Sequence, residues 1–471
     1  MFPEELREKP VWRFFADLCA IPRTSGNEAA VSRYIADFAG ERGLEHYSDP
    51  LGNMMVKKPG TGEPVVLQAH LDIVGEKVTG STHDFLNDPI EPDLEGDLLI
   101  SRETTLGADN GIGAALMLEL LHGDHPGLPP LECLFTVDEE RGLVGALAFP
   151  PEWITAGRLI NLDSEELGVI IIGCAGGRDV SILLEAEYED CGDPSVLVEI
   201  DGLNGGHSGM EINSDNANAI KLAARVCRQL EDLLGGRLVS FQGGSKHNAI
   251  PRSASAVMSV QDPARAATLC SIMKRDFAEE FAGIEDSIGV SCLEHQTDRR
   301  LTHNVSSRMI DTLLALPHGV EKMSGVVDDL VETSANLAVA SWGEKGLEIL
   351  LSVRSAVESA KNAHVGSIEA VGRLAGARVS SSEGYPGWTP DMNSELLEAA
   401  MVSCREVLGE EPSVEAIHAG LECGIIGRRA GEMDMISLGP DISDVHVPGE
   451  SVSVRSVDAF FELLVHLLKS L

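Results

Sequence analysis

No run of about 18 apolar residues occurs in the 471-residue chain, so no segment has the length and polarity to cross a membrane as a helix. No Cys-x-x-Cys pair occurs either, which argues against a thiolate zinc site. The cysteines (Cys19, Cys133, Cys174, Cys191, Cys227, Cys270, Cys292, Cys404 and Cys423) are scattered and odd in number. Free thiols in a reducing cytoplasm follow as the expectation. Basic residues are scarce, 36 Lys and Arg against 75 Asp and Glu, for a formal charge of −39. Such a surface repels phosphate backbones and anionic lipid, so neither nucleic acid nor a membrane surface is an expected partner. The opening MFPEELREKPVW lacks the apolar core of a secretory signal, again pointing to the cytoplasm. A serine nucleophile elbow of the GxSxG type is absent.

What is present is an ordinary globular composition, 43% apolar and 24% charged. The chain is too long for one hydrophobic core, and two domains are expected, one inserted in the other. Glu4 to Ala20 and Asn27 to Gly43 read as amphipathic helices and Gly111 to Leu121 as another. Between them stand the apolar runs Pro64–His70, Leu131–Val137 and Arg158–Asp163, an alternation typical of an α/β layer with a mostly parallel sheet flanked by helices. From about Arg178 the style changes to alternating strands and helices, in two similar α+β halves. The α/β style resumes at Ser394. The expected organisation is a split catalytic domain, residues 1–177 and 389–471, with an α+β lid domain at 178–388. Gly173-Cys174-Ala175-Gly176-Gly177 reads as the hinge turn into it.

Five polar clusters lie at strand ends or glycine-rich turns: His70-Leu-Asp72, Gly107-Ala-Asp109-Asn110-Gly111, Asp138-Glu139-Glu140, Asn161-Leu-Asp163-Ser-Glu165 and Asp444-Val-His446. Ligands of open α/β sheets bind beyond the carboxyl ends of the strands, where such residues converge. Singly, each has a plain reading: Asp109 as a helix N-cap, the acidic triplet as solvated charge, His446 as a loop cap. Jointly they do not, because a buried strand running into three carboxylates is costly unless cations neutralise them. Two histidines with three carboxylates form a ligand set suited to a pair of metals such as zinc. Asp72 follows His70 by two residues, so on a strand both face one side and Asp72 can orient the imidazole. The residue types leave open which of Asp138, Glu139 and Glu140 is a base.

The strings VVLQAHLDIV, TTLGADNGIG, TVDEERGLVGA, INLDSEE, GLNGGHSGMEI, GGSKHNAIPR, SEGYPGWTPDMNSE, IHAGLECG and LGPDISDVHVP resemble the aminoacyl-histidine dipeptidases. These carnosinase-like enzymes, also named Xaa-His dipeptidases or peptidase D, belong to the co-catalytic zinc exopeptidases. The resemblance runs in order along nearly the whole chain. It implies two divalent ions per chain, zinc or else cobalt or manganese. Asp109 would bridge them, with His70 and Asp163 on one ion and Glu140 and His446 on the other. It implies Glu139 as general base, Asp72 behind His70, and His207 in the lid as donor to the oxyanion.

Asn248 and Arg354 suit a substrate carboxylate, Arg354 through its bidentate fork, though a lid arginine serves equally as an ion-pair partner. Glu422 suits the substrate amine or, alternatively, a buried structural role. The expected activity is hydrolysis of unblocked dipeptides, Xaa-His types such as carnosine among them. The alternatives are an N-acyl amino acid amidohydrolase or longer-peptide aminopeptidase of the same superfamily, and a silent binding protein that kept the fold. A homodimer is the expected assembly, and the resemblance implies that the lid would form it.

Overall fold

The computed structural model describes residues 2–471. The chain forms two compact units. One takes in the chain up to Gly173 with Trp388–Ala416 and Leu421–Leu471; the other is Cys174–Gly387 with the short segment Ile417–Gly420. That short segment interrupts the expected 389–471 stretch. It is fastened to the second unit because the Ala175 N–H donates to Ile417 O and Ala419 O at 3.1 and 2.9 Å.

An eight-stranded sheet organises the first unit. Its centre is Leu131–Thr136, Val65–His70, Arg158–Asn161 and Asp434–Ser437, side by side in that order and all parallel. Val65–His70 and Leu131–Thr136 are buried at every residue, as strands covered on both faces must be. Toward the edges the pairing turns antiparallel, Glu45–Ser48 with Met54–Lys58 and Met54–Lys58 with Leu131–Thr136. The tight Asp49–Asn53 connection explains the first of these, since a short loop can join only antiparallel neighbours. Helix Ala108–His122 is apolar on nearly all sides and is buried from Asn110 to Leu121, in the core with Phe15, Phe135 and Phe460. The Glu4–Ala20 pattern reads as one helix, but the structure divides it into Glu4–Arg7 and Trp12–Cys19. Pro10 ends the first piece, having no N–H to continue the ladder.

The second unit is built on a nine-stranded sheet that is antiparallel wherever its strands exchange a register. Two strand groups meet in it through Gly243 opposite Ala340. On one side stand Gly289–His295, Ser195–Asp201, Ala254–Ser259 and Arg237–Gly243; on the other Val331–Trp342, Gly346–Ser355, Gly176–Glu185 and Arg378–Ser381. The two halves therefore share one sheet, and the first strand after the crossing joins the second half. Helix Ala219–Leu234 is closed at both ends, by the Asn218 side chain accepting from Ile220 and Lys221 and by left-handed Gly235. Helix His303–Ala315 buries Val305, Met309, Ile310 and Leu313, a helical spacing legible in the sequence. Gly176 and Gly177 are not a turn. They begin the strand Gly176–Glu185, and Gly176 is required because a Cβ would stand 2.6 Å from Tyr385 O.

Candidate active site

Four of the first unit's polar clusters follow the carboxyl ends of the four central parallel strands. His70 ends Val65–His70, the acidic triplet follows Leu131–Thr136, Asp163 follows Arg158–Asn161, and His446 lies on the loop after Asp434–Ser437. Parallel strands place those ends along one edge of the sheet. The remaining contributor, Asp109, opens helix Ala108–His122, but its backbone (φ −80°, ψ 113°) is not helical. Its carboxylate makes no cap bond to the helix, so the N-cap reading fails. Gly107 precedes it at φ 72°, where a Cβ would also strike Ile73 at 2.7 Å, so only glycine fits this bend. Asp138 and His446 are themselves left-handed, at φ 55° and 65°. Such backbone is uncommon outside glycine and gathers at functional loops.

Asp109 faces two ways. Oδ1 lies 3.0 Å from His70 Nε2, which is also 3.3 Å from Asp163. Oδ2 lies 3.0 Å from His446 Nε2, which is also 2.9 Å from Glu140 Oε1. His70, Asp109 and Asp163 thus form one group of converging ligand atoms, and Asp109, Glu140 and His446 another. Ligand atoms about 2.0–2.2 Å from a tetrahedral metal ion stand about 3.3–3.6 Å apart, and the donor separations here, 2.9–3.3 Å, are close to that, so the two groups suit divalent cations.

The electrostatics express the same crowding. Burial opposes charge on His70, but Asp163 and Asp109 outweigh it and hold the imidazole well above its ordinary pKa. At His446 burial is likewise overcome by the hydrogen bonds that the ring donates to Asp109 and Glu140, which carry it to about 11. Asp163 is pushed up to about 6, chiefly by burial. Glu165, exposed on the loop after Asp163, is raised to about 7 by desolvation and then by the charges of Asp109 and Asp163. Anions packed this closely stabilise cations, whether protons or metals.

Asp72 sits behind His70, its Oδ1 3.5 Å from His70 Nδ1. It also accepts Ser25 Oγ–H at 2.8 Å and the backbone N–H groups of Glu139 and Glu140 at 3.0 and 3.2 Å. Burial would raise its pKa, but these donors, His70 foremost, bring it down to about 2.

The three consecutive carboxylates separate by their partners. Asp138 makes a two-pronged pair with Arg141, at 2.5 and 2.8 Å. Glu140 meets His446. Among the described residues no donor holds the Glu139 carboxylate. Burial, reinforced by Asp163, Glu140 and Glu422 and only partly offset by His70, keeps it well above the usual carboxylate pKa.

Glu422 is fully buried, with Oε2 accepting from Gln68 Nε2 and Thr136 Oγ at 2.5 and 2.6 Å. Its other oxygen, Oε1, is buried without a partner. Gln68 in turn accepts from Asn161, and Asn161 from Ser437, so the chain ties strand to strand beneath the ligand loops.

The remaining candidates lie in the second unit. His207 Nδ1 accepts the N–H groups of Gly209 and Met210 at 3.3 and 3.2 Å. Burial, then Arg354, lowers its pKa, so the ring is neutral with its proton on Nε2, a free donor. Arg354 is 7% exposed and touches Tyr385 Oη at 3.3 Å, yet its Nε is buried without a partner. No carboxylate among the described residues lies within salt-bridge distance of it, although it is near enough to Asp179 to help lower that carboxyl's pKa. Asn248 is half-buried, its carbonyl accepting the Ser208 N–H at 2.9 Å.

Sequence reasoning passes over His418, which stands in the quoted IHAGLECG string. It is buried and bonded through Nε2 to Ser334 Oγ at 2.7 Å, and its ring also interacts with the backbone of Val331. Asn336 and Ser208 carry buried unpartnered oxygens in this unit.

The model of peptidase family M20/M25/M40 matches residues 66–470. The chain is 38% identical to the cytosol non-specific dipeptidase of Escherichia coli, over 99% of this chain and 98% of that one. It superposes on the crystal structure of aminoacylhistidine dipeptidase from Vibrio alginolyticus with a TM-score of 0.90 and 37% identity, covering 99% and 97% of the two chains. Aminopeptidase PepT from Bacillus cereus shares the fold, with a TM-score of 0.57 and 17% identity over 98% and 97% of the two chains.

Proposed function

The chain belongs to peptidase family M20/M25/M40, and from that premise we propose that it is a metal-dependent dipeptidase acting on unblocked dipeptides, Xaa-His types such as carnosine among them. The observation that carries the reading is Asp109, which turns one carboxylate oxygen to each of two ligand groups beside an unpaired Glu139. His70, Asp109 and Asp163 would hold one divalent ion and Asp109, Glu140 and His446 the other, zinc by the nitrogen and oxygen donor set. When bound, the two ions would supply Lewis acidity and bring the pKa of a water toward neutrality.

Glu139 is the general base. Its buried carboxyl, free of other partners, takes the proton of the attacking water and returns it to the departing amine. Asp72 holds the His70 ring and the backbone of Glu139 and Glu140, fixing the base in place. The neutral His207 offers its Nε2–H to the oxyanion that forms at the scissile carbonyl. Arg354, with an unpartnered buried nitrogen, and Asn248 take the substrate carboxylate. No disulfide joins any of the nine cysteines among the described residues, in keeping with a cytosolic enzyme. A homodimer is part of the same proposal, taken from the likeness to the carnosinase-like family.

The test is a substrate panel of L-carnosine, Ala-His, Gly-Gly, Ala-Ala-Ala and N-acetyl-Ala-His, offered to metal-loaded wild type and Glu139→Gln. Cleavage of the free dipeptides alone, lost in Glu139→Gln with metal still bound, is expected. Cleavage of the acetylated substrate or the tripeptide in preference would overturn the dipeptidase reading.

A further inference from the structure

The bend that carries Asp109 is held by a residue outside the ligand set. Glu450, 2% exposed, places its carboxylate against four consecutive backbone N–H groups. Leu106 and Gly107 donate to Oε2 at 2.8 and 3.0 Å, Ala108 and Asp109 to Oε1 at 2.7 and 3.3 Å. On the same bend, buried Arg23 donates to Gly107 O and, through its other nitrogen, to Leu71 O, both at 2.7 Å. Leu71 lies between His70 and Asp72. Glu450 also follows His446 by four residues, and its own backbone is tied down, with Ser101 N–H donating to Glu450 O at 3.1 Å and Glu450 N–H to Val447 O at 3.2 Å. A single carboxylate therefore links the loops of Asp109 and His446, and Arg23 extends the link to His70.

We infer that Glu450 is a positioning residue for the metal centre, its carboxylate fixing the bend from which Asp109 reaches both ligand groups. The inference rests on the two-metal reading above. Its chemistry is specific to a carboxylate: each oxygen accepts two N–H groups, and no other side chain offers two such acceptors at this length. The isosteric Glu450→Gln turns an NH2 toward two N–H donors, which must then move apart. Because Asp109 is in that bend, the displacement reaches the one ligand common to both groups. Residues that orient ligands from behind typically change metal affinity by about 10–100-fold when altered.

The experiment is titration of the metal-free full chain with cobalt(II), followed by visible absorption and equilibrium dialysis, with the metal-free melting temperature recorded alongside. Wild type should take up two cobalt ions per chain. Glu450→Gln should bind at least one of them about 10–100-fold more weakly and, at saturation, show an altered cobalt spectrum, since ligand geometry sets that spectrum and global stability does not. Glu450→Asp, which keeps the charge but falls one methylene short, should weaken binding less, and it carries the test if the glutamine variant does not fold. Wild-type affinity and spectrum in the folded variants would overturn the inference while leaving the metal centre standing. Failure of wild type itself to bind cobalt would overturn the two-metal reading, and the inference with it.

Discussion

The carboxylate of Asp72 accepts the backbone N–H of Glu139 at 3.0 Å. The residue behind His70 therefore also anchors the segment that carries the base, and the two functions share one buried side chain. Its other oxygen takes the Ser25 hydroxyl and the Glu140 N–H, so every lone-pair direction faces a donor.

Asp72→Asn should therefore cost more than a lost charge. The amide can accept on one side only, and its NH2 meets either a backbone N–H or the Ser25 hydroxyl. The expected loss is about 10–100-fold in kcat, with KM little changed. Steady-state kinetics with a parallel count of bound metal would check this. Unchanged kcat would show that His70 and Glu139 are held without Asp72.

Glu422→Gln separates the two readings of that buried carboxyl through pH. Burial raises its folded pKa from the ordinary 4.5 to about 7. Below about pH 4.5 the group is protonated whether folded or not, and its contribution to stability is fully present. As pH rises toward 7 the unfolded chain ionises first, and that contribution is lost. In the metal-free protein, Glu422→Gln should remove this slope and melt higher than wild type near pH 8. An amide still accepts from Gln68 and Thr136 through its oxygen, so KM for dipeptides should stay within about twofold. A KM raised tenfold or more would restore contact with the substrate amine.

Much of this site is legible before any coordinates because the parallel strands end on their chemistry. VVLQAH runs into His70, LECLFT into the acidic triplet and RLIN toward Asp163, so strand prediction and ligand prediction reinforce each other. Pairing is harder to read. The two antiparallel edges depend on loop length and long-range register, and Gly176–Glu185 joins the far half of its sheet. Residues that act through the backbone are nearly silent in sequence. Glu450 is one acid among 75 Asp and Glu, and only the fold shows four N–H groups aimed at it. Glu422 carries the opposite lesson, since residue type alone cannot tell an enclosed carboxyl from one that meets solvent. Ile417–Gly420 breaks the domain pattern for a similar reason, being held by two hydrogen bonds to Ala175 rather than by any compositional change.

Acid should loosen the second unit through His418. Burial, then Arg354, depresses its folded pKa from the ordinary 6.5 to about 3. The sign is opposite to that of Glu422. The neutral ring's contribution is present above about pH 6.5 and is lost as pH falls toward 3, because the unfolded chain takes up the proton first. His418→Gln, which can keep a bond to Ser334 without titrating, should flatten the fall in melting temperature across that window. An acid limb as steep as in wild type would assign the effect to other groups.

Arg354 makes the sharpest claim about substrate. Its guanidinium meets no carboxylate among the described residues, and Nε is buried without a partner, an arrangement that costs free energy until an anion arrives. A charge-assisted, two-pronged bond of this kind contributes about 1.5–3 kcal/mol, or about 10–100-fold in binding. Arg354→Met should therefore raise KM for a free dipeptide by that factor while lowering kcat less. Arg354→Lys should recover part of the loss, since it restores the charge but not the fork. The control is the same dipeptide as its C-terminal amide, which lacks the anion. Wild type should use the amide poorly and Arg354→Met should no longer distinguish the two, whereas equal loss on both substrates would mean that Arg354 supports the unit's structure and does not touch the carboxylate.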